Sequence, residues 1–182
     1  MKIYIIRHGQ TNWNKKGIIQ GQKDIELNET GVKQAEKQIK VFNEKNIDLI
    51  ISSTLKRAAL TAQTISKEKK TQIIYDDRLK ERNFGEYEGT LANFNEDYLY
   101  NLETNVKEKN IETAKELYER VENLLNEIKE KYKDKTILLV THGGTTRAIE
   151  AYFNGLDENN IMPPETIKNC EIREYEYDKR AN

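Results

Sequence analysis

The chain has two histidines, His8 and His142. Each stands directly after a run that reads as a buried strand. Lys2 to Ile6 carries the unbroken apolar or aromatic series Ile3, Tyr4, Ile5, Ile6, and Arg7-His8-Gly9 follows at once. Thr136 to Val140 reads T-I-L-L-V and leads into Thr141-His142-Gly143-Gly144. A third run, Ile47 to Ile51, ends at Ser52-Ser53, with Arg57 in the first turn of the helix that follows. Continuous apolar runs of this length mark strands covered on both faces. A cation and an imidazole at the end of such a strand do not serve the core. A neutral imidazole keeps a free lone pair at neutral pH, since its unperturbed pKa is ~6.5. A guanidinium offers bidentate, charge-assisted hydrogen bonds to a phosphate. The expectation is that His8 is a nucleophile toward phosphorus and that Arg7 holds the phosphate it attacks.

Plainer readings exist for each residue alone. A histidine after a strand is more often a partnered structural group, Arg57 could be a helix-surface charge, and Asn14 could cap a turn. Trp13 reads as core sooner than pocket wall. The coincidence of both imidazoles, two arginines and several glycines at matching topological places outweighs those readings.

The elements that must position these groups alternate along the chain. After the first strand, Gly9 to Leu27 reads as loop, broken by Gly17 and Gly21. Asn28 is a candidate N-cap for a helix running to about Lys45, with Val32, Ala35, Ile39 and Phe42 on its apolar face. The helix starting near Thr54 buries Leu55, Ala58, Ala62 and Ile65. Gln72 to Tyr75 is a short strand, and Asp76 to Leu91 a charged, glycine-punctuated loop. A short helix is expected over Asn93–Leu102 and a long one over Glu112–Lys131. Another runs from about Thr145 to Phe153, and Cys170–Tyr177 alternates like a last strand. This order predicts an α/β fold, a three-layer α/β/α sandwich with a mainly parallel central sheet. In open sheets of this kind ligands bind beyond the carboxyl ends of the strands, where the histidines fall.

Composition sets bounds. The chain's 182 residues suit a single domain, 1–182. Hydrophobic residues are 36% and charged residues 34%, so a heavily solvated surface still encloses a core. The net charge of −1 supplies no global field for nucleic acid or an anionic membrane, so an anion site must be local. No apolar stretch approaches the ~20 residues of a membrane span, and no signal peptide is evident. The single cysteine, Cys170, rules out an intrachain disulfide and a cysteine zinc cage, and a cytoplasmic setting is expected. Metal-ligand spacings such as H-E-x-x-H are absent from the sequence, and neither metal nor cofactor is implied.

A phosphoryl transfer from an alkoxide leaving group needs an acid. The loop offers Asp76, Asp77, Glu81, Glu86 and Glu88, and spacing does not choose among them. Four motifs, taken together, do more. Arg7-His8-Gly9 with Asn14, Ser52-Ser53-x-x-x-Arg57-Ala58, Leu79-x-Glu81-Arg82-x-Phe84-Gly85-x-x-Glu88-Gly89, and Thr141-His142-Gly143-Gly144-x-x-Arg147 occur in one order across most of the chain. In this the sequence resembles the histidine phosphatase superfamily, which includes cofactor-dependent phosphoglycerate mutases and small phosphatases. The resemblance implies that His8 takes up the phosphoryl group and that Arg7, Arg57 and His142 surround it with help from Asn14. It implies that Gln20 and Gly21 lie near the substrate and that Glu81 is the proton donor. The Gly143 amide, near a helix N-terminus, is a further candidate for a phosphate oxygen.

Mutase and phosphatase share the phosphohistidine step and differ in what accepts the phosphoryl group. The mutases the chain resembles carry a run like Y-G-x-L-x-G-L-N-K, whereas here Phe84–Ala92 has no lysine, and Gly144 stands where those mutases tend to have asparagine. The expectation is therefore a phosphatase acting on a small-molecule phosphomonoester, with phosphoglycerate mutase as runner-up. A non-catalytic binder of phosphate ligands is the alternative from another class. A serine hydrolase built on Ser52 or Ser53 with His142 lacks the G-x-S-x-G elbow. The segment 93–111 is expected to lid the pocket. The oligomeric state, monomer or homodimer, is not legible.

Overall fold

The computed structural model describes residues 1–91, 95–104, 110–164 and 167–177. Five strands form one sheet: β1 (Lys2–Arg7), β2 (Leu49–Ser52), β3 (Ile73–Tyr75), β4 (Thr136–Thr141) and β5 (Ile172–Glu176). Their order is β3-β2-β4-β1-β5. All neighbours are parallel except β5, which runs antiparallel to β1. This is the expected α/β sandwich.

Strand pleating explains the continuous apolar runs. Ile3, Ile5, Leu49, Ile51, Ile137 and Leu139 face one core, and Tyr4, Ile6, Ile50, Leu138 and Val140 face the other. Successive side chains alternate between faces, so a strand covered on both sides must be apolar at every position. The first core is closed by α5 (Ala114–Lys131), through Leu117, Val121, Leu124, Leu125 and Ile128, and by α6 (Gly143–Asn154). The second is closed by α2 (Glu29–Glu44), through Ala35 and Phe42, and by α3 (Lys56–Ser66), through Ala58, Ala62 and Ile65. Asn28 caps α2 as expected, its side chain accepting from the Gly31 amide at 2.8 Å.

Three boundaries depart from expectation. The 9–27 loop contains a short helix, α1 (Asn12–Lys16), with no buried residue. The 76–91 loop contains two 3₁₀ turns, Asp77–Leu79 and Gly85–Tyr87. The last helix starts at Gly143 and not at Thr145, because His142 serves as its N-cap in an extended conformation. The short helix expected over 93–102 is α4 (Glu96–Tyr100). Residues 93–94 and 105–109 of the expected lid lie outside the described residues. Among the described residues no helix is long and apolar enough to cross a membrane.

β2, β4 and β1 are successive neighbours in the sheet, and this decides where the polar strand ends meet. Arg7 is registered against Thr141, and Ser52 against Val140. The ladder continues one residue further on each side, His8 N–H to the Thr141 carbonyl and Ser53 N–H to the Val140 carbonyl, both at 2.9 Å.

Candidate active site

At that rim lies a cavity of about 260 Å³, walled by groups from six segments of the chain. Arg7 and His8 come from the end of β1, Arg57 from the first turn of α3, and Glu81 from the loop after β3. Asn14, Gln20 and Gly21 come from the 9–27 segment.

His8 is clamped on both sides. Its carbonyl accepts from the Asn169 side chain at 2.8 Å, and its ring Nδ1 lies 2.7 Å from the Gly9 carbonyl. A carbonyl only accepts, so Nδ1 carries the proton and Nε2 keeps the lone pair. Arg57 Nε donates to that Nε2 at 3.2 Å. Gly9 is needed where it stands, since an added Cβ would overlap the Gly31 carbonyl oxygen. The Gly9 amide is held by Thr61 Oγ1 at 3.1 Å.

Arg57, read from periodicity as lying off the apolar stripe, is nonetheless fully buried. Its Nη1 and Nη2 donate to the Lys23 and Gly21 carbonyls at 2.8 and 2.7 Å. Burial lowers its pKa to about 10, against the opposing fields of Glu81, Asp24 and Glu88, so it stays charged at neutral pH. Arg7 Nη1 donates to the Ile167 carbonyl at 2.9 Å.

His142 is buried beside His8, ring centroids 5.1 Å apart. Its Nε2 is 2.8 Å from Ser53 Oγ. Its Nδ1 meets no hydrogen-bond partner among the described residues. Ser53 is fully buried and does not line the cavity, so its contact with His142 orients the imidazole and presents no nucleophile to the cavity. Desolvation first, then the Arg57 and Arg7 guanidinium groups, holds the His8 pKa well below its ordinary value. Desolvation, then Arg57 and His8, does the same for His142. Both imidazoles are therefore neutral at pH 7.

Glu81 reaches the cavity held by backbone amides. Oε1 accepts from Arg82 N at 2.8 Å and Thr145 N at 3.1 Å, and Oε2 from Gly144 N at 3.1 Å. The last two belong to the first turn of α6, whose N–H groups have no intrahelical partner. Gly144, not Gly143, forms the cavity wall there, and its amide is taken by Glu81. Gly143, the expected amide donor, is not among the wall residues and is buried at the helix start.

Asn14 both caps and lines. It completes a capping box with Thr11 and also faces the cavity. Gln20 Oε1 accepts from Thr11 Oγ1 at 2.9 Å. Gly21 lines the cavity and its carbonyl accepts from Arg57. Trp13 is neither core nor wall. It is half-buried and packs over Gly89.

Sequence reasoning did not find Tyr100, Arg147, Phe84 or Leu99, which also line the cavity. The Arg147 guanidinium lies 3.6 Å from the Tyr100 ring centroid and the Arg82 guanidinium 4.8 Å from it. Arg147 stood in a quoted motif without a role. Tyr100 had no local signal.

The chain is 35% identical over 167 residues to putative phosphoserine phosphatase 2 of Hydrogenobacter thermophilus, covering 88% of this chain and 82% of that protein. It is 31% identical to a probable phosphoglycerate mutase of Escherichia coli, covering 97% and 85%. A solved structure of phosphoserine phosphatase from Entamoeba histolytica, in complex with 3-phosphoglyceric acid, superposes with a TM-score of 0.80 at 26% identity, covering 97% and 91%. The sequence model of the histidine phosphatase superfamily (branch 1) matches residues 3–182. The chain belongs to that superfamily.

Proposed function

We propose that this protein is a metal-independent phosphatase that hydrolyses small phosphomonoesters through a phosphohistidine on His8. The observation that carries the reading is the fixed tautomer of His8. With Nδ1–H given to the Gly9 carbonyl, the Nε2 lone pair lies beside the Arg57 guanidinium at the cavity. Nε2 attacks phosphorus, an N–P bond forms, and the ester P–O bond breaks. Glu81, carrying a proton taken up with the bound phosphomonoester, gives it to the departing oxygen. The resulting carboxylate takes a proton from water, whose oxygen attacks phosphorus and breaks the N–P bond, releasing phosphate and neutral His8. Arg7 and Arg57 neutralise the equatorial oxygens; His142, buried beside His8, does not line the cavity, and its Nδ1, without a hydrogen-bond partner among the described residues, would meet a third oxygen on a shift of the wall. Positioning and electrostatics then supply most of the acceleration.

Phosphatase is favoured over mutase by Gly144. A Cβ there would lie 2.6 Å from both Glu81 Oε1 and Tyr100 Oη. The asparagine found in the mutases the chain resembles therefore does not fit this cavity as built. Phosphoserine and 3-phosphoglycerate, drawn from the names of the relatives, head the substrate panel, beside p-nitrophenyl phosphate. The natural leaving group is set by the side of the cavity formed by Phe84, Leu99 and Tyr100.

The test is hydrolysis of this panel in chelator by wild type and His8→Ala. Chelator-resistant release of phosphate, abolished in the variant and accompanied in wild type by an acid-labile, base-stable phosphoenzyme, is expected. Full activity in His8→Ala refutes the nucleophile. Conversion of 3-phosphoglycerate to 2-phosphoglycerate without free phosphate, given a trace of bisphosphoglycerate, selects the mutase.

A further inference from the structure

Glu88 lies outside the cavity wall, yet its carboxylate sits at the joint between the two segments that build the site. Oε1 accepts from Gln22 N at 2.8 Å and from Phe84 N at 3.1 Å. One oxygen therefore ties the 19–24 segment to the loop that carries Glu81. The carboxylate rests on the Gly21 Cα so closely that a Cβ at Gly21 would overlap it, and Gly21 adopts φ +50°. Gln22 returns the tie by donating its Nε2 to the Glu81 carbonyl at 3.0 Å.

What the 19–24 segment does for the site is hold Arg57. The Gly21 and Lys23 carbonyls, on either side of the residue Glu88 binds, are the acceptors of Nη2 and Nη1. They leave Nε to point at His8. The segment is pinned at one end by backbone bonds between Ile19 and both Thr90 and Gly89, and at the other by Asp24 on the Lys56 amide. Between those ends Glu88 supplies a charge-assisted anchor, stronger than a neutral hydrogen bond. The Glu88 charge, with those of Glu81 and Asp24, also favours the charged form of the buried guanidinium.

We infer that Glu88 is a positioning residue for the phosphoryl site, aiming Arg57 at phosphorus through the Gly21 and Lys23 carbonyls while touching no substrate. This rests on the reading that Arg57 binds the phosphoryl group.

The test is a double-mutant cycle on the full chain: wild type, Glu88→Ala, Arg57→Ala and the double variant. The measurements are kcat and KM on p-nitrophenyl phosphate, and the inhibition constant of orthovanadate. Glu88→Ala is expected to lower kcat/KM by about tenfold to a hundredfold, the range a misplacement of roughly 1 Å produces, and to weaken vanadate in parallel. Beside Arg57→Ala the same change should cost no more than about twofold, because residues acting through one another are not additive. Glu88→Gln keeps an acceptor oxygen and loses the charge. It is expected to fall between, and it takes the place of the alanine variant in the cycle if that variant does not fold. Equal losses with and without Arg57, or wild-type vanadate binding and rate in both Glu88 variants, overturn the inference. Unaltered activity and vanadate binding in Arg57→Ala would instead remove the underlying reading, and the inference with it.

Discussion

Replacing Gly144 by alanine tests the placement of the proposed acid without altering its chemistry. An ideal Cβ at that position lies 2.6 Å from Glu81 Oε1 and 2.6 Å from Tyr100 Oη, well inside the ~3.5 Å of normal nonbonded contact. One of the two oxygens must give way. Tyr100 is confined between the Arg147 and Arg82 guanidinium groups, and Met162 N–H bonds its carbonyl at 3.0 Å. Glu81 is confined by three amides. A shift of the carboxylate breaks at least one of those bonds, each worth about 1.5–3 kcal/mol for a charged acceptor. Helix propensity alone would favour alanine over glycine by about 1 kcal/mol, so a net loss of stability must come from the overlap. For activity the scale is larger. Losing a positioned general acid costs ~10²–10⁴-fold on a leaving group that needs protonation, or about 3–5 kcal/mol of barrier. The assay is kcat/KM on an alkyl phosphate, phosphoserine first, against p-nitrophenyl phosphate, whose leaving group needs little protonation. Gly144→Ala is expected to slow the alkyl ester by about a hundredfold or more and the aryl ester by less than about tenfold. Equal slowing of both would mean that the Cβ disturbs the phosphoryl site and not the acid. No slowing of either would mean that Glu81 is not confined where the protonation occurs.

Glu81→Gln should reproduce the same split between alkyl and aryl esters without the packing defect, with a lowered melting temperature because its amide nitrogen meets an N–H group that the carboxylate accepts. Folding stability should decline as pH falls below about 6.5. The unfolded chain then protonates both histidines, while in the folded protein His8 and His142, held well below their ordinary value, stay neutral. Each contributes up to about 1.4 kcal/mol per pH unit across that window. Urea titrations from pH 7.5 to 5 measure it, and a flat profile would contradict the burial of uncharged imidazoles. Gly9→Ala should destabilise by about 2 kcal/mol or more, since the added Cβ meets backbone at Gly31, which cannot rotate away. Wild-type stability in that variant would show that the β1 turn and α2 do not approach as closely as described.

The strands were legible because burial on two faces demands an unbroken apolar run, and Ile3–Ile6 and Ile137–Val140 meet that demand. The site's reactive groups were legible for the converse reason: Arg7, His8 and His142 break those runs where the sheet ends. Signals that depend on tertiary approach were not. Helix α1 buries nothing, so it carries no periodicity, and only the Thr11–Asn14 capping box marks it. Arg57 falls outside a stripe drawn from apolar residues, yet it is buried because carbonyls of a distant loop receive it. Gly143 and Gly144 stand before the helix expected from about Thr145. They open the helix instead, because its first turn needs no internal partners and the missing Cβ at Gly144 admits Glu81. Tyr100 lies in a stretch with no motif, and only the approach of Arg147 and Arg82 brings it to the wall.

One consequence joins these observations. The groups proposed to handle the phosphoryl unit are aimed largely by main chain: His8 by the Gly9 carbonyl, Arg7 by Ile167, Arg57 by Gly21 and Lys23, and Glu81 by the amides of Arg82, Gly144 and Thr145. A main-chain partner keeps its hydrogen-bonding chemistry whatever side chain it carries, and few side chains, such as Glu88, fix its position. Phe84, Leu99 and Tyr100 also line the cavity, and they meet it through side chains that substitution can reshape. A scaffold so divided keeps one phosphoryl chemistry while exchanging leaving groups. Phosphoserine phosphatases and a phosphoglycerate mutase among the relatives of a single chain are what that division leads one to expect. It follows that substitutions at Leu99 or Phe84 should move KM between substrates while leaving vanadate inhibition nearly unchanged. A parallel loss of vanadate affinity in those variants would show that the two sets of residues are not separable.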